Sequence, residues 1–238
     1  MAPESFLGGR LKVLQSRDGY RFSIDALVLA HHAVPHANDQ RAADLGCGCG
    51  IIPLVLALRH PHVQIFGVEI QPRLVDLAAR NVRLNGFEAR VTILEADLQS
   101  LSPQALGGAA DMLVSNPPYR RSASGRVNPH AERAIARHEI AMTLTGLIAA
   151  ARRLLRTGGR LWLIYPAERL AELMAGLHRG GLEPKYLRMI HSFAGGEAQR
   201  VLVQAGKAAR VGLTVAPPLF IYREPDQYTA EVESMLRP

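Results

Sequence analysis

A glycine-rich segment at positions 44–50 constrains the fold of this chain more than any other feature. It reads Asp-Leu-Gly-Cys-Gly-Cys-Gly and separates a predicted strand, Arg41–Leu45, from a predicted helix, Ile51–Arg59. Glycine adopts positive φ angles without strain and lets a ligand approach the backbone closely. A strand that turns into a helix through such glycines is typical of ligand-binding α/β folds. The segment therefore predicts an α/β protein with a ligand site at this junction.

The rest of the chain alternates apolar runs with amphipathic stretches, as an α/β fold requires. The predicted strands after the first are Val63–Ile70, Val91–Leu94, Asp111–Ser115 and Leu161–Tyr165. Strands that alternate with helices favour a mainly parallel sheet. Two final strands, Tyr186–His191 and Val201–Ala205, are joined by only about ten residues, which is short for a crossover helix. We therefore expect one antiparallel strand near the C-terminus.

Length and composition favour one globular domain over residues 1–238. Hydrophobic residues make up 48% of the chain and charged residues 21%, which excludes disorder as the main state. No apolar run is long enough to cross a membrane. The N-terminus carries an early Glu4 and no basic segment before an apolar run, so we expect no signal peptide. With only two cysteines, Cys47 and Cys49, the expected location is the cytoplasm.

Two acidic residues follow the next two predicted strands. Glu69 ends the second strand, 19 residues beyond Gly50, where an acid binds ribose hydroxyls in dinucleotide-type folds. Asp97 follows the third strand and can reach the surroundings of an adenine amino group. The glycine spacing is G-x-G-x-G, whereas a pyrophosphate-binding loop has G-x-G-x-x-G. These residues together predict a cofactor that carries adenosine.

The tetrad Asn116-Pro117-Pro118-Tyr119 directly follows the fourth predicted strand. Open α/β sheets bind ligands beyond the carboxyl ends of their strands, so the tetrad is expected to face the cofactor. An exocyclic amine or an amide nitrogen is a poor nucleophile. The Asn116 side-chain oxygen and the Pro117 carbonyl can accept its two N–H bonds and orient it towards an electrophile. Tyr119 offers a flat face on which a base can stack.

Positive charge is concentrated directly after the tetrad. The chain has a net charge of +7, and residues 119–160 alone hold nine basic and two acidic groups. Arginine dominates, and its planar fork suits phosphate groups. This window predicts an anionic partner, with phosphate contacts from Arg120, Arg121 and Arg126.

Metal and redox chemistry have weaker support. His32 and His36 are spaced as a helical pair, but Pro35 interrupts the helix and no metalloprotease signature surrounds them. The spacing of Cys47 and Cys49 is not the C-x-x-C of redox proteins, which favours small loop residues. We therefore predict no metal.

Taken together, the chain resembles the class I S-adenosylmethionine-dependent methyltransferases of the N-P-P-Y type. Within these it is most similar to the bacterial family that methylates N6 of an adenosine in the anticodon loop of valine tRNA. The closer similarity extends to Arg21-Phe22-Ser23-Ile24-Asp25, Ala136-Arg137-His138-Glu139, Arg200-Val201-Leu202-Val203 and Pro225-Asp226-Gln227-Tyr228-Thr229. Ile24 stands where that family often has Thr, which weakens any side-chain contact from this position.

The resemblance implies a Rossmann-like fold, a seven-stranded, mainly parallel sheet with one antiparallel strand, and S-adenosylmethionine as cofactor. Residues 1–40 are then an N-terminal extension that packs on the cofactor side. Asn116, Pro117, Pro118 and Tyr119 are the implied catalytic residues. The implied cofactor-binding residues are Asp25, Asp44, Gly46, Cys47, Gly48, Gly50, Glu69, Ile70, Asp97, Leu98 and Asn116. The implied RNA-binding residues are Arg120, Arg121, Arg126, Arg137 and His138.

The leading hypothesis is therefore N6-methylation of an adenosine in tRNA by a monomer or weak homodimer. The tetrad can bind a glutamine amide as readily as an adenine amine, so a protein glutamine N5-methyltransferase is one alternative. Another nucleic-acid amino-group methyltransferase is a further alternative. The release-factor glutamine methyltransferases carry a helical domain before the glycine loop. Here 45 residues precede Gly46, which favours RNA as the substrate.

Overall fold

The computed structural model describes residues 2–15, 23–117 and 143–237. Its strands are β1 (Glu4–Phe6), β2 (Leu11–Val13), β3 (Arg41–Leu45), β4 (Gln64–Glu69), β5 (Val91–Glu95), β6 (Ala110–Ser115), β7 (Leu155–Pro166), β8 (Leu182–His191), β9 (Ala198–Lys207), β10 (Thr214–Val215), β11 (Leu219–Phe220), β12 (Tyr222–Glu224) and β13 (Gln227–Tyr228). Its helices are α1 (Ile24–His32), α2 (Ile51–Arg59), α3 (Pro72–Leu84), α4 (Leu144–Leu154), α5 (Leu170–Arg179) and α6 (Ala230–Met235). None of these helices has the length and apolar character needed to cross a membrane.

The central sheet has the order β8-β9-β7-β6-β3-β4-β5. Strands β3 to β7 pair in parallel, whereas β9 is antiparallel to both of its neighbours, β7 and β8. The predicted α/β fold with a mainly parallel sheet and an antiparallel strand near the C-terminus is confirmed. The short strands β10 and β11 add to the edge by pairing in parallel with β8, which widens the sheet from the predicted seven strands to nine.

Helices cover both faces of this sheet, and each face has its own buried apolar cluster. Helices α1, α2 and α6 pack on one face, and α4 and α5 pack on the other. Successive residues of β6 divide between the faces: Met112 joins the first cluster and Leu113 the second. A strand that is buried on both sides loses the alternating pattern of a half-exposed strand, and β6 is buried along its whole length.

The start of β7 differs from the sequence prediction. The pattern predicts a helix to Leu155 that ends at Gly158-Gly159, but α4 ends at Leu154 and β7 continues through both glycines. A Cβ on Gly159 would lie 3.0 Å from the Arg156 carbonyl oxygen and 3.1 Å from that of Ala110. The glycine therefore allows β7 to lie close to the start of β6 rather than breaking the chain there.

Asn81 joins the N-terminal strands to the rest of the protein. This α3 side chain is fully buried, and its Nδ2 donates to the carbonyl oxygens of Leu14 and Cys49 over 3.1 and 2.9 Å. Its Oδ1 accepts from the Leu14 backbone N–H at 2.7 Å. One amide thus holds the chain after β2 and the glycine segment against the same helix.

Replacing Asn81 with alanine is expected to lower the free energy of unfolding by about 2–3 kcal/mol, because three buried backbone groups lose their partner. Asn85 is the matched control, since it makes equivalent bonds to the Lys12 N–H and carbonyl at an exposed site. Asn85→Ala is expected to cost less than about 1 kcal/mol, because water replaces the amide. Urea unfolding measures both variants, and equal losses would contradict the role given to Asn81.

His31 makes stability depend on pH at a site where it bonds Arg59, which also bonds the C-terminal helix α6. Arg59 donates to His31 Nδ1 at 2.8 Å and to the Met235 carbonyl at 2.5 Å. Burial, and then the Arg59 charge, lower the pKa of His31 to about 4. Because the folded pKa lies below the unfolded value of 6.5, the unfolded state binds more protons between these values, and stability is lost as the pH falls through this range.

The variant His31→Asn keeps an acceptor and removes this titration. We expect the melting temperature of the wild type, relative to that variant, to drop by about 2–4 °C between pH 7 and pH 5, roughly 1 kcal/mol for a half-exposed group. Differential scanning calorimetry at the two pH values makes the comparison. A constant difference between the two proteins would show that His31 does not titrate in this way.

Candidate active site

The carboxyl ends of four parallel strands meet at one edge of the sheet, and four predicted residues lie there. Gly46 follows β3 and Glu69 ends β4, while Asp97 and Asn116 come shortly after β5 and β6. Strand β3 lies between β4 and β6. The strand order in the sheet therefore places the glycine segment between Glu69 at the end of β4 and Asn116 after β6.

The glycine segment turns sharply, and its backbone N–H groups donate hydrogen bonds within the protein. Gly46, Gly48 and Gly50 have φ angles of 84°, 56° and 85°. The N–H groups of Gly46 and Cys47 donate to the Val68 carbonyl, and that of Gly50 donates to the Cys47 carbonyl. A loop that binds a pyrophosphate aims such groups at the ligand. Here they bind the protein itself, so the loop suits close approach of a ligand to the backbone rather than a phosphate.

The two cysteines are buried beneath this loop. A Cβ on Gly67 of β4 would lie 2.9 Å from Cys47 Sγ, so the glycine makes room for the thiol. Burial raises the pKa of Cys49 to about 11 and that of Cys47 well above its usual value. Both thiols therefore stay protonated and pack as small apolar groups. The sequence did not single out Gly67, although a glycine inside a strand often marks such a close approach.

The Glu69 carboxylate braces the backbone around the site. Its Oε2 accepts from the Gly48 N–H at 3.0 Å, and its Oε1 accepts from the N–H groups of Ile70 and Gln71, also at 3.0 Å. These bonds tie the end of β4 to the glycine segment. Glu69 therefore fixes the backbone of the loop relative to the end of β4.

Asp44 is the most unusual group at this edge. It is only 1% exposed, and neither carboxylate oxygen has a hydrogen-bond partner among the described residues. Burial and the neighbouring Glu69 carboxylate raise the pKa of Asp44 well above its usual value. A buried carboxylate without a partner destabilises a fold, so such a group in a ligand site indicates that the ligand supplies its partner.

The predicted adenine-side residues lie beyond β5. The Asp97 carboxylate accepts from the Gln99 N–H at 2.8 Å, so it shapes the local turn. Leu98 is buried, and its carbonyl accepts from Arg153 of α4 at 2.5 Å. Ile70 is 37% exposed at the end of β4 and offers an apolar surface at the same edge.

Asp25 forms an ion pair with a distant residue, which its sequence context does not predict. Its carboxylate accepts from Arg200 Nε of β9 at 3.1 Å, and both side chains are partly buried. This ion pair connects the first turn of α1 to the part of β9 that lies beside the end of β7. Both residues lie in segments that carry the resemblance, but their pairing depends on how α1 packs against β9.

Ser115 fixes the position of Asn116. The Ser115 hydroxyl donates to the Leu45 carbonyl at 2.7 Å and is fully buried. The residues that follow, Asn116 and Gly46, therefore continue from adjacent strand ends held by a side-chain bond. Pro117 is buried and Asn116 is partly exposed.

Several predicted site residues lie outside the described residues. They are Pro118, Tyr119, Arg120, Arg121, Arg126, Arg137 and His138. Other arginines of the basic window have partners within the protein. Arg156 pairs with Asp111 at 2.5 Å, and Arg160 pairs with Asp39, both near the starts of β6 and β7. This part of the window therefore stabilises the edge of the sheet opposite the site.

A sheet in which β9 runs antiparallel to β7 and β8, with a glycine loop and acids at the strand ends, defines a Rossmann-like methyltransferase. The model of the methyltransferase small domain family matches residues 23–176, and the chain belongs to this family. A solved structure from Agrobacterium tumefaciens, described as a predicted O-methyltransferase, superposes with a TM-score of 0.71 at 26% identity. The superposition covers 89% of this chain and 94% of that one.

Three curated relatives are also methyltransferases. The tRNA1(Val) (adenine(37)-N6)-methyltransferase of Porphyromonas gingivalis is 38% identical over 56% of this chain and 52% of its own length. The enzyme of the same name from Tolumonas auensis is 31% identical over 76% of this chain and 74% of its own. The release factor glutamine methyltransferase of Chlorobaculum tepidum is 32% identical over 65% and 61%. The first of these matches therefore spans about half the length of the relative.

Proposed function

We propose that this chain transfers a methyl group from S-adenosylmethionine to N6 of an adenosine in tRNA, in an anticodon loop like that of valine tRNA. The observation that carries the proposal is the pairing of two features at adjacent strand ends. Asp44 is a buried carboxylate without a described partner, and Asn116 is a partly exposed residue at the end of the neighbouring strand, which the Ser115–Leu45 bond ties to β3. The first suits a cationic cofactor, and the second suits an amine.

The residues at this edge fit S-adenosylmethionine. Asp44 would face the cationic methionine part, whose charge satisfies the orphaned carboxylate. The glycine segment would line the same part through its backbone, and Glu69 would accept from the ribose hydroxyls. Ile70 and Leu98 would border the adenine. When bound, the cofactor supplies an electrophilic methyl group on a sulfonium sulfur.

Asn116 and Pro117 would hold the target nitrogen. The lone pair of an exocyclic adenine amine is delocalised into the ring, so this nitrogen attacks poorly. If the Asn116 side-chain oxygen and the Pro117 carbonyl accept its two N–H bonds, the nitrogen is oriented towards the methyl group, and the positive charge that develops on it is stabilised. The Tyr119 ring would stack on the adenine.

An RNA substrate is supported by the relatives and by charge. The net charge is +7, which favours a polyanionic partner. We assign phosphate contacts to Arg120, Arg121, Arg126, Arg137 and His138. Binding that depends on such contacts weakens as salt rises.

We also propose that residues 1–40 support the cofactor side of a single domain. Asn81 bonds the chain after β2 and the glycine segment at once, and Asp25 bonds β9 beside the end of β7. Both contacts favour an N-terminal extension that steadies the loop under the cofactor.

The second candidate is N5-methylation of a protein glutamine. It is favoured by the relative from Chlorobaculum tepidum, and an amide presents the same two N–H bonds to Asn116. The two functions differ in the class of macromolecule that receives the methyl group.

The test is transfer of a labelled methyl group from S-adenosylmethionine, with unmodified tRNA and a release factor offered separately and in competition. We expect the label in tRNA, with transfer that declines as salt rises. Label confined to the release factor would reject the RNA proposal and support the second candidate. A separate thermal-shift experiment compares S-adenosylmethionine with dinucleotide cofactors. A cofactor that binds the folded protein stabilises it by about 2.7 kcal/mol when present at 100 times its dissociation constant.

A further inference from the structure

A row of three aromatic rings lies at the end of β8. The Phe193 ring centroid is 5.6 Å from that of Tyr222, and Tyr222 is stacked on Tyr228 with centroids 5.3 Å apart and planes 15° apart. Tyr222 and Tyr228 are partly buried, whereas Phe193 is 40% exposed. The inner pair holds the C-terminal strands β12 and β13 together. That structural role does not account for the open outer ring.

Backbone bonds fix this row in place. The pairing of β11 with β8 continues past both strands, since the Ile221 N–H donates to the His191 carbonyl and the Tyr222 N–H to that of Ser192. After Phe193 the chain turns at once: Gly195 has a φ of 80°, and the Gly196 N–H donates to the Phe193 carbonyl. The exposed ring is therefore presented from a short, hydrogen-bonded turn.

The row lies at the same edge of the sheet as Asn116. Strand β8 is antiparallel to β9, and β9 is antiparallel to β7, so β8 runs in the direction of β6 and β7. Three strand spacings, about 14 Å, separate β8 from β6. The pairing register places Leu187 of β8 level with Ser115 of β6, so β8 ends four residues, about 13 Å, further along the strand direction and about 20 Å from the end of β6. A few nucleotides of a single-stranded loop span such a distance.

The chemistry of an exposed ring at this place suits an unpaired base. Proteins that bind single-stranded RNA stack its bases on aromatic side chains, and stacking is tolerant of sequence because every base has a flat face. A protein whose net charge is +7 attracts the RNA backbone. The open face of Phe193 then supplies a contact that phosphate binding alone lacks.

We propose that Phe193, supported by Tyr222 and Tyr228, stacks an unpaired base of the RNA loop that lies a few nucleotides from the methylated adenosine. This inference rests on the proposed function. The ring binds substrate and takes no part in methyl transfer, so it acts on RNA affinity and on KM rather than on kcat.

The test uses the full chain and an unmodified transcript of a bacterial valine tRNA, with RNA affinity measured by fluorescence anisotropy. Phe193→Ala is expected to raise the Kd for RNA and the KM about tenfold. Saturated turnover and the affinity for S-adenosylmethionine stay within about twofold of the wild type. Phe193→Trp restores the affinity. Val215→Ala is the matched control, because Val215 is 65% exposed on the same sheet edge and pairs with Leu187, four residues before the end of β8 and away from the ring row.

Unchanged RNA affinity in Phe193→Ala, or an equal loss in Val215→Ala, would overturn the inference while wild-type methylation of RNA leaves the proposed function intact. If the wild type methylates no RNA and the label is found in a release factor instead, the proposed function is rejected. The role of Phe193 in binding an RNA base is then rejected as well.

Discussion

Asn116→Ala is expected to lower turnover by at least about a hundredfold while leaving the affinity for S-adenosylmethionine within about twofold. The loss follows because the variant removes one of the two acceptors that orient the target nitrogen and stabilise its developing charge. Removal of a single group that stabilises charge in a transition state reduces rates by about 10²–10³. Single-turnover methyl transfer measures the rate, and calorimetric titration measures cofactor binding.

Asn116→Asp is the matched control for this variant. It keeps an oxygen acceptor of the same reach, so it is expected to retain more activity than Asn116→Ala. Loss of cofactor binding in Asn116→Ala would contradict the role assigned to this side chain, because it would then serve the cofactor rather than the target. Full activity in Asn116→Ala would also contradict the role assigned to this side chain.

Asp44→Asn is expected to change stability and cofactor binding in opposite directions. Without ligand, the variant no longer buries a carboxylate that lacks a described partner, so its melting temperature rises. With ligand, the attraction to a cationic group is lost, and the affinity for S-adenosylmethionine falls about 10- to 100-fold, as for a charge-assisted hydrogen bond of about 1.5–3 kcal/mol. Thermal melts with and without cofactor give both effects.

The pKa of Asp44 determines how the rise in melting temperature of ligand-free Asp44→Asn depends on pH. Since burial holds this pKa above its unfolded value of 3.8, the free apo-protein binds the proton more tightly than the unfolded chain does. Its stability therefore falls as the pH rises above 3.8 towards the folded pKa. The gain in melting temperature from Asp44→Asn should accordingly be larger at pH 8 than at pH 5.

Asp76→Asn serves as the control, because Asp76 is an exposed carboxylate on α3. We expect it to change neither melting temperature nor cofactor affinity. If Asp44→Asn lowered the stability of the apo-protein, its carboxylate would have a stabilising partner, and the assignment of Asp44 to the cofactor would be wrong.

The sequence predicted the parts of this site that depend on local chemistry and strand order. A glycine segment between a strand and a helix requires positive φ angles, and Gly46, Gly48 and Gly50 adopt them. Once the strands alternate with helices, their carboxyl ends must share an edge, which is why Glu69 and Asn116 lie around the loop.

Contacts between distant segments could not be predicted in the same way. Asn81 looks like an ordinary polar residue of an amphipathic helix, yet it is buried and binds both Leu14 and Cys49. Asp25 was expected near the cofactor, and its ion pair with Arg200 depends on how α1 packs against β9. The composition of a helix carries no signal for such partners.

Charge was the least specific part of the sequence prediction. Nine basic residues between positions 119 and 160 suggested one RNA-facing window. Arg153 instead donates to the Leu98 and Leu101 carbonyls, while Arg156 and Arg160 pair with acids near the strand starts. A count of charges does not distinguish an arginine that closes a structural network from one that meets a phosphate.

The nucleoside that the protein modifies distinguishes the proposed function from its alternatives most directly. Unmodified tRNA is incubated with the protein and S-adenosylmethionine, digested to nucleosides and separated by mass spectrometry, with Asn116→Ala as the blank. We expect N6-methyladenosine from a single position in one tRNA with the wild type and none with the variant. Methylation of a different nucleoside, or a methylated protein glutamine without any methylated nucleoside, would contradict N6-methylation of tRNA by this protein.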